Sequence, residues 1–183
     1  MKGQLVAILA LLLGGQLIAK DLEEQKEKGD VVERPVYMIL GMVVTFPPGV
    51  EEPPKGFEGT MRGLPPSAII KREGNILGEI YAAPLKGTAK EEADGMKRSA
   101  AKSEQIDLVK RESVPKGKLP HEVTTIQMNL PRKLGNPWVF HSIYFPKKEG
   151  SVTFKLVAAE KEFKKLLPVF KAMFFDGNPA RKD

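Results

Sequence analysis

The end of the chain carries the clearest periodic pattern. Between residues 152 and 158 apolar side chains occupy every second position, which predicts a β-strand with one apolar face. The apolar spacing then changes to steps of three and four, which predicts an amphipathic C-terminal helix over about 160–175 (Phe163, Leu166, Leu167, Phe170, Phe174). Pro168 lies inside this helix, where it should kink the helix or shift its start.

Further strands are predicted upstream. The segments are 36–46 (one or two strands broken at Gly41), 68–71, 76–82, 106–110, 123–130 and 138–145. Short loops join the last three strands of the chain, which predicts an antiparallel meander because parallel neighbours need a dozen or more connecting residues. Both faces of 138–145 are largely apolar, which is typical of a strand covered on both sides.

A second helix is predicted midway along the chain. Thr88-Ala-Lys-Glu91 fits a capping box, and an alanine-rich stretch follows it to about Ser103. The apolar face of this helix is narrow, so we expect it to lie against a surface and not to cross a core. Strands, a helix, more antiparallel strands and a final helix together predict an α+β sandwich with a central antiparallel sheet.

The N-terminus has the three-part layout of a secretory signal peptide. Lys2 precedes an apolar run over 5–13, glycines interrupt the run, and Ala19 stands before the charged residue Lys20. We therefore expect a signal peptide over 1–19 and a periplasmic or secreted protein, with an uncleaved membrane anchor as the alternative. Residues 20–34 are mostly charged and are interpreted as a tether, 35–177 as a single domain and 178–183 as a C-terminal tail.

Composition excludes several classes of chemistry. The 183 residues are 42% hydrophobic and 28% charged, as in ordinary globular proteins, and include no cysteine and two histidines. No disulfide, thiolate nucleophile, cofactor or metal site is therefore expected. The net charge of +6 is spread over short mixed clusters. This pattern favours a solvated surface, leaves a peripheral membrane contact open and gives no indication of nucleic acid binding.

No catalytic residue can be assigned. His141 and Ser142 are neighbours on a predicted strand, so their side chains point to opposite faces and cannot share a proton. The carboxylate pairs at 51–52 and 91–92 are interpreted as solvated surface. For His141, which lies between Val139 and Ile143, we expect a hydrogen-bonded core histidine and not a metal ligand.

Three aromatic residues form the one candidate for partner binding. Trp138, Phe140 and Tyr144 share one face of the predicted strand 138–145. Exposed aromatic side chains anchor protein partners. The competing interpretation is that they pack under a covering helix such as 160–175.

Several of these segments resemble a known superfamily. A strand ends at Phe46-Pro47-Pro48-Gly49, and Val152-Thr-Phe-Lys-Leu-Val-Ala-Ala leads into a helix with Phe163, Leu167-Pro168 and Phe170. The combination resembles the photosystem II extrinsic subunit PsbP and its non-photosynthetic, DcrB-like periplasmic relatives. Val50 stands where that superfamily usually has Trp. The resemblance implies an αβα sandwich over roughly 36–176 and no shared enzymatic activity.

These observations predict an exported, non-catalytic accessory or binding protein with an envelope or membrane-associated protein partner. A small-molecule or lipid carrier is the first alternative and requires a cavity between the sheet and the final helix. An envelope hydrolase that uses His121 or His141 is the second. The oligomeric state and the identity of the partner do not follow from the sequence.

Overall fold

A seven-stranded antiparallel sheet organises residues 34–175, which the computed structural model describes apart from 60, 62 and 130–136. The predicted signal peptide, nearly all of the tether, the loop around Gly135 and the C-terminal tail lie outside the described residues.

Nine strands and two helices follow one another along the described chain. In order they are β1 (Val36–Ile39), β2 (Met42–Thr45), β3 (Val50–Glu51), β4 (Ala68–Arg72), β5 (Asn75–Leu85), α1 (Ala89–Ala101), β6 (Ile106–Val114), β7 (His121–Met128), β8 (Trp138–Pro146), β9 (Ser151–Ala159) and α2 (Glu160–Ala172). The sheet order is β3-β4-β5-β9-β8-β7-β6, and β1 and β2 form a separate hairpin. All of these pairings are antiparallel, so the predicted meander is confirmed.

Tight turns occur where the sequence breaks its strands. Leu40 and Gly41 between β1 and β2 both have positive φ, at 50° and 71°, and Glu73 and Gly74 between β4 and β5 have 51° and 79°. Two successive positive φ values are the signature of the hairpin turn whose twist matches that of the strands it joins. The predicted break at Gly41 is therefore a hairpin turn between two strands.

An aromatic core fills one face of the sheet. The ring of Phe174 lies 4.9 Å from that of Phe154 and 5.3 Å from that of Phe145, so the end of α2 is locked onto β8 and β9. The hairpin closes the same core, because the Thr45 amide donates to the carbonyl oxygen of Met173 at 3.0 Å. Pro168 is tolerated on the exposed side of α2.

The opposite face of the sheet carries α1. The capping box is present as predicted, with the Thr88 hydroxyl accepting from the Glu91 amide and the Glu91 carboxylate accepting from the Thr88 amide. Only small side chains of α1 are buried: Ala89, Ala93 and Ala100. The layers are therefore helix, sheet and helix, which confirms the α+β sandwich with a central antiparallel sheet and an amphipathic C-terminal helix.

One strand is longer than its hydrophobic pattern indicates. The prediction ended a strand at Lys110, whereas β6 continues to Val114. The additional residues include the polar side chains of Arg111, Glu112 and Ser113, which pair with β7. Edge strands are held by backbone pairing on one side, so a polar edge strand carries little hydrophobic signal.

The N-cap of α1 gives a first testable prediction. Thr88→Ala should lower the free energy of unfolding by about 1 kcal/mol, because the hydroxyl that accepts from the Glu91 amide is lost. Thr88→Ser retains a hydroxyl and is the matched control. Urea unfolding followed by circular dichroism measures both, and equal stability of the two variants would contradict the role of the cap.

The end of α2 gives a second prediction, since two adjacent phenylalanines differ in burial. Phe174 is 1% exposed and Phe175 is 40% exposed. Phe174→Ala should cost about 3–5 kcal/mol through the cavity that it leaves. Phe175→Ala should cost much less, because part of that ring already contacts water. Urea unfolding of the two variants should show this difference. Similar losses in the free energy of unfolding would contradict the burial of Phe174 against β8 and β9.

Candidate functional site

Several polar side chains lie on the face of the sheet under α1, beside apolar residues such as Phe140 and Val157. Strand register places Thr153 opposite Tyr144 and Lys155 opposite Ser142, so these four side chains share one face. Thr124 of β7 lies opposite Ser142 on the same face. Thr124, Ser142 and Thr153 are buried, although a buried sheet face is usually apolar. Buried polar side chains on a covered sheet face are the first indication of a binding site.

A partly buried ion network joins α1 to the far edge of this face. The guanidinium of Arg111 contacts Asp94 of α1 at 3.0 Å and Glu122 of β7 at 2.5 Å. The hydroxyl of Ser113 donates to the second carboxylate oxygen of Glu122 at 2.8 Å. Desolvation opposes the charge of Arg111, but its hydrogen bonds to Glu122 and Asp94 outweigh this effect and raise the pKa of Arg111. The network fixes the position of α1 over the sheet.

A half-open cleft of about 350 Å³ lies between α1 and the sheet, toward β5 and β9. Both walls mix polar and apolar groups. The helix contributes Glu92, Gly95, Met96 and Ser99, and the sheet contributes Leu85, Tyr144, Thr153 and Lys155. This volume is at the lower end of the range for small-molecule sites.

Gly95 opens the helical wall of the cleft. A glycine inside a helix is about 1 kcal/mol less favourable than alanine. A Cβ at this position would have one neighbour within 4 Å, the guanidinium end of Arg98 at 3.7 Å. Packing therefore does not require a glycine here, and the missing side chain leaves the space open.

The polar groups of the cleft differ in whether they have hydrogen-bond partners within the protein. Glu92 accepts from the Gly87 amide at 3.0 Å, and the Tyr144 hydroxyl bonds the Thr124 hydroxyl at 3.1 Å. The Thr153 hydroxyl is buried and has no hydrogen-bond partner among the described residues. An unsatisfied buried hydroxyl costs free energy, and a bound molecule that pairs with it removes that cost. Lys155 adds a positive charge beside it.

The aromatic candidates lie on the cleft side of the sheet. His141 and Phe145 contact α2, so Trp138, Phe140 and Tyr144 point the other way. Tyr144 is buried against Ala89 and Ala93 of α1, which means that the helix covering it is α1 and not 160–175. Trp138 and Phe140 are half-buried, and a partner contact by this face remains a prediction.

The cleft residues Glu92, Ser99, Thr153 and Lys155 were not identified from the sequence. Alternation did place Thr153 and Lys155 on one face of a strand. That signal could have identified them only together with the central position of β9 in the sheet, where both faces are covered. Nothing local to Glu92 or Ser99 distinguishes them from other polar helix residues.

The two histidines lie outside the cleft. His141 is a core residue as predicted, because its Nδ1 lies 2.8 Å from the Thr125 hydroxyl and its ring packs on Phe163 and Phe170. His121 bonds the Leu119 carbonyl oxygen through Nδ1 at 2.8 Å. Within the described part of the chain no three His, Asp or Glu residues are placed to hold a metal ion.

Burial of His141 gives a pH-dependent prediction. Desolvation, reinforced by the charges of Lys171 and Lys110, lowers the pKa of His141 from 6.5 to about 4. Between these values the unfolded chain binds a proton that the folded chain does not, so the free energy of unfolding should fall as the pH drops from 6.5 to 4. The contribution of His141 to this fall is on the order of 3 kcal/mol.

Urea unfolding between pH 4 and pH 7 measures this effect. His141→Phe should flatten the dependence, whereas His121→Gln should retain it because His141 is still present. An unchanged slope in His141→Phe would contradict the neutral buried imidazole.

Comparisons with known proteins find similarity to solved structures. No family model matches the sequence, and no curated protein matches it. The solution structure of cyanobacterial PsbP (CyanoP) from Synechocystis sp. PCC 6803 is similar with a TM-score of 0.46 and 11% identity, over 79% of this chain and 92% of that chain. The apo structure of the type VI secretion immunity protein TplEi from Pseudomonas aeruginosa is similar with a TM-score of 0.40 and 13% identity, over 70% of this chain and 53% of that chain.

None of the described helices is both long enough and apolar enough to cross a membrane.

Proposed function

We propose that the chain is an exported, non-catalytic accessory protein that binds a hydrogen-bond-accepting group in the cleft between α1 and the sheet. One observation carries the proposal: the Thr153 hydroxyl is buried without a described partner in a cleft that also presents Lys155 and is widened by Gly95. A carboxylate or carbonyl oxygen is the complementary group. A protein partner or a small molecule can supply it.

The composition of the cleft favours binding over catalysis. General acid–base catalysis uses a side chain that is positioned to exchange a proton with the substrate. The described lining has one carboxylate, that of Glu92, which is engaged by the Gly87 amide. His141 lies on the opposite face, in the aromatic core, so the alternative of an envelope hydrolase has no support in the cleft.

The space between the sheet and α2 does not favour a carrier of the kind considered above. Phe154, Phe170 and Phe174 fill it, each at most 1% exposed, together with Met173. A carrier function would therefore have to use the cleft on the other face. The predicted signal peptide supports the proposed location in the cell envelope.

Site-specific photocrosslinking of the full chain in cells tests the proposal. A photoreactive amino acid at position 99 lies at the cleft, and one at position 164 on the exposed side of α2 is the control. We expect a recurrent envelope-protein adduct from position 99 alone, or a small-molecule mass in the native mass spectrum if the group comes from a metabolite. Identical adducts at both positions, with an empty native mass, would contradict the proposal.

Substitutions of Gly95 give a second prediction, which tests whether the open space of the cleft is needed for binding. Gly95→Ala should raise the free energy of unfolding by up to about 1 kcal/mol, because the added methyl group has room and favours the helix. Gly95→Leu should fill the cleft and abolish the adduct at position 99 while the protein stays folded. Ala101→Leu places the same side chain at an exposed position of α1 and should leave the adduct unchanged. Loss of the adduct in both leucine variants would contradict binding of the partner in the cleft.

A further inference from the structure

One end of the sheet gathers several turns and loops. The register of β6 with β7 and of β8 with β9 places the loops 115–120 and 147–150 at this end, and residues 86–88 follow the end of β5 there. The Phe175 ring lies 5.0 Å from that of His121, so the end of α2 is also here. The hairpin tip joins them, because Lys147 Nζ donates to the Gly41 carbonyl oxygen at 2.8 Å.

Apolar side chains are exposed along the hairpin and at this end. Val36, Met38 and Leu40 alternate along β1 and its turn and are 47%, 69% and 42% exposed, while Tyr37 and Ile39 pack on the core. Phe175 is 40% exposed. Exposed apolar side chains grouped in this way are typical of an interaction surface.

The loops at this end of the sheet are rich in lysine. The three loops contain five lysines (Lys86, Lys116, Lys118, Lys147, Lys148) and one carboxylate, that of Glu149. Lysine side chains extend along apolar surface and keep their ammonium groups in a polar layer. A surface that combines exposed apolar groups with lysines is complementary to the interface of an anionic bilayer.

We propose that this end of the molecule, defined by Leu40, Met38, Phe175 and the lysines of loops 86–88, 115–120 and 147–150, binds the surface of an anionic lipid bilayer. The apolar groups would enter the headgroup layer and the ammonium groups would pair with lipid phosphates. A second copy of the chain is the poorer occupant, because a symmetric contact would bring the same lysines together.

A fluorescent probe at the hairpin tip tests this contact in the full chain. The sequence has no cysteine, so Leu40→Cys provides a single site for an environment-sensitive label. Ile76→Cys is the matched control, since Ile76 is 37% exposed and lies beyond the turn at the opposite end of the sheet. The vesicles contain phosphatidylglycerol with phosphatidylethanolamine, or phosphatidylcholine alone.

The expected result is a blue shift and a several-fold rise in emission at position 40 with phosphatidylglycerol vesicles only, and no change at position 76. The apolar residues 1–19 could bind either type of vesicle. The difference in emission between the anionic and the phosphatidylcholine vesicles therefore reports on the hairpin end itself. An equal response with phosphatidylcholine, an equal response at both positions or no response at position 40 would overturn the proposal. A concentration-dependent change without vesicles would overturn it in favour of self-association.

The role of the lysines is tested separately with Lys148→Gln, since Lys148 is exposed. This change should weaken the lipid dependence of the position-40 signal about fivefold, which corresponds to about 1 kcal/mol for one basic residue at an anionic surface. Salt at about 1 M, where the Debye length is about 3 Å, should also weaken the lipid dependence of the position-40 signal. Insensitivity to both changes would refute the role of charge.

Discussion

The packing of α2 and the hairpin around Phe154 and Phe174 is the interaction on which the rest of the structure depends. It buries aromatic rings of β8, β9 and α2 on one face of the sheet, and the Met173 carbonyl oxygen ties the hairpin to the end of α2. This face supplies most of the buried apolar surface and hence most of the hydrophobic stabilisation. The opposite face is therefore free to carry polar side chains.

That polar face shapes the site. The apolar cluster beneath α1 is small and consists of Ala89, Ala93 and Tyr144 with Leu85 beside them. The ion network of Arg111 with Asp94 and Glu122 holds the helix on the side of β6 and β7. On the side of β9 the helix presents Gly95 and stands away from Thr153 and Lys155. The ion network holds α1 against the sheet near β6 and β7, and α1 lies farther from the sheet near β9. The cleft therefore forms between α1 and an unbroken sheet.

Local patterns allowed much of the fold to be predicted. Alternation in β9, the three-and-four spacing of α2 and the capping box before α1 are each encoded within about a dozen residues. The polar half of β6 was missed because only its pairing with β7 makes it a strand. Which helix covers Tyr144 could not be predicted either, since that depends on the order in which β8 and its neighbours assemble.

Less of the candidate site than of the fold could be predicted from the sequence. Gly95 of its helical wall and Thr153 of its sheet wall are separated by more than fifty residues along the chain, and neither Ser99 nor Lys155 belongs to a recognisable motif. The aromatic residues chosen from the sequence share the face but do not all line the space, because Trp138 and Phe140 lie outside the lining of the cleft. Only the fold brings Thr153, Lys155 and Gly95 together.

A crystal structure of the protein purified from its own cell envelope would test the central claim most directly. We expect α1 to stand off from β9 at Gly95, with density from a bound group or ordered solvent against the Thr153 hydroxyl and the Lys155 ammonium. A structure in which Met96 fills the cleft and a protein group pairs with the Thr153 hydroxyl would contradict it.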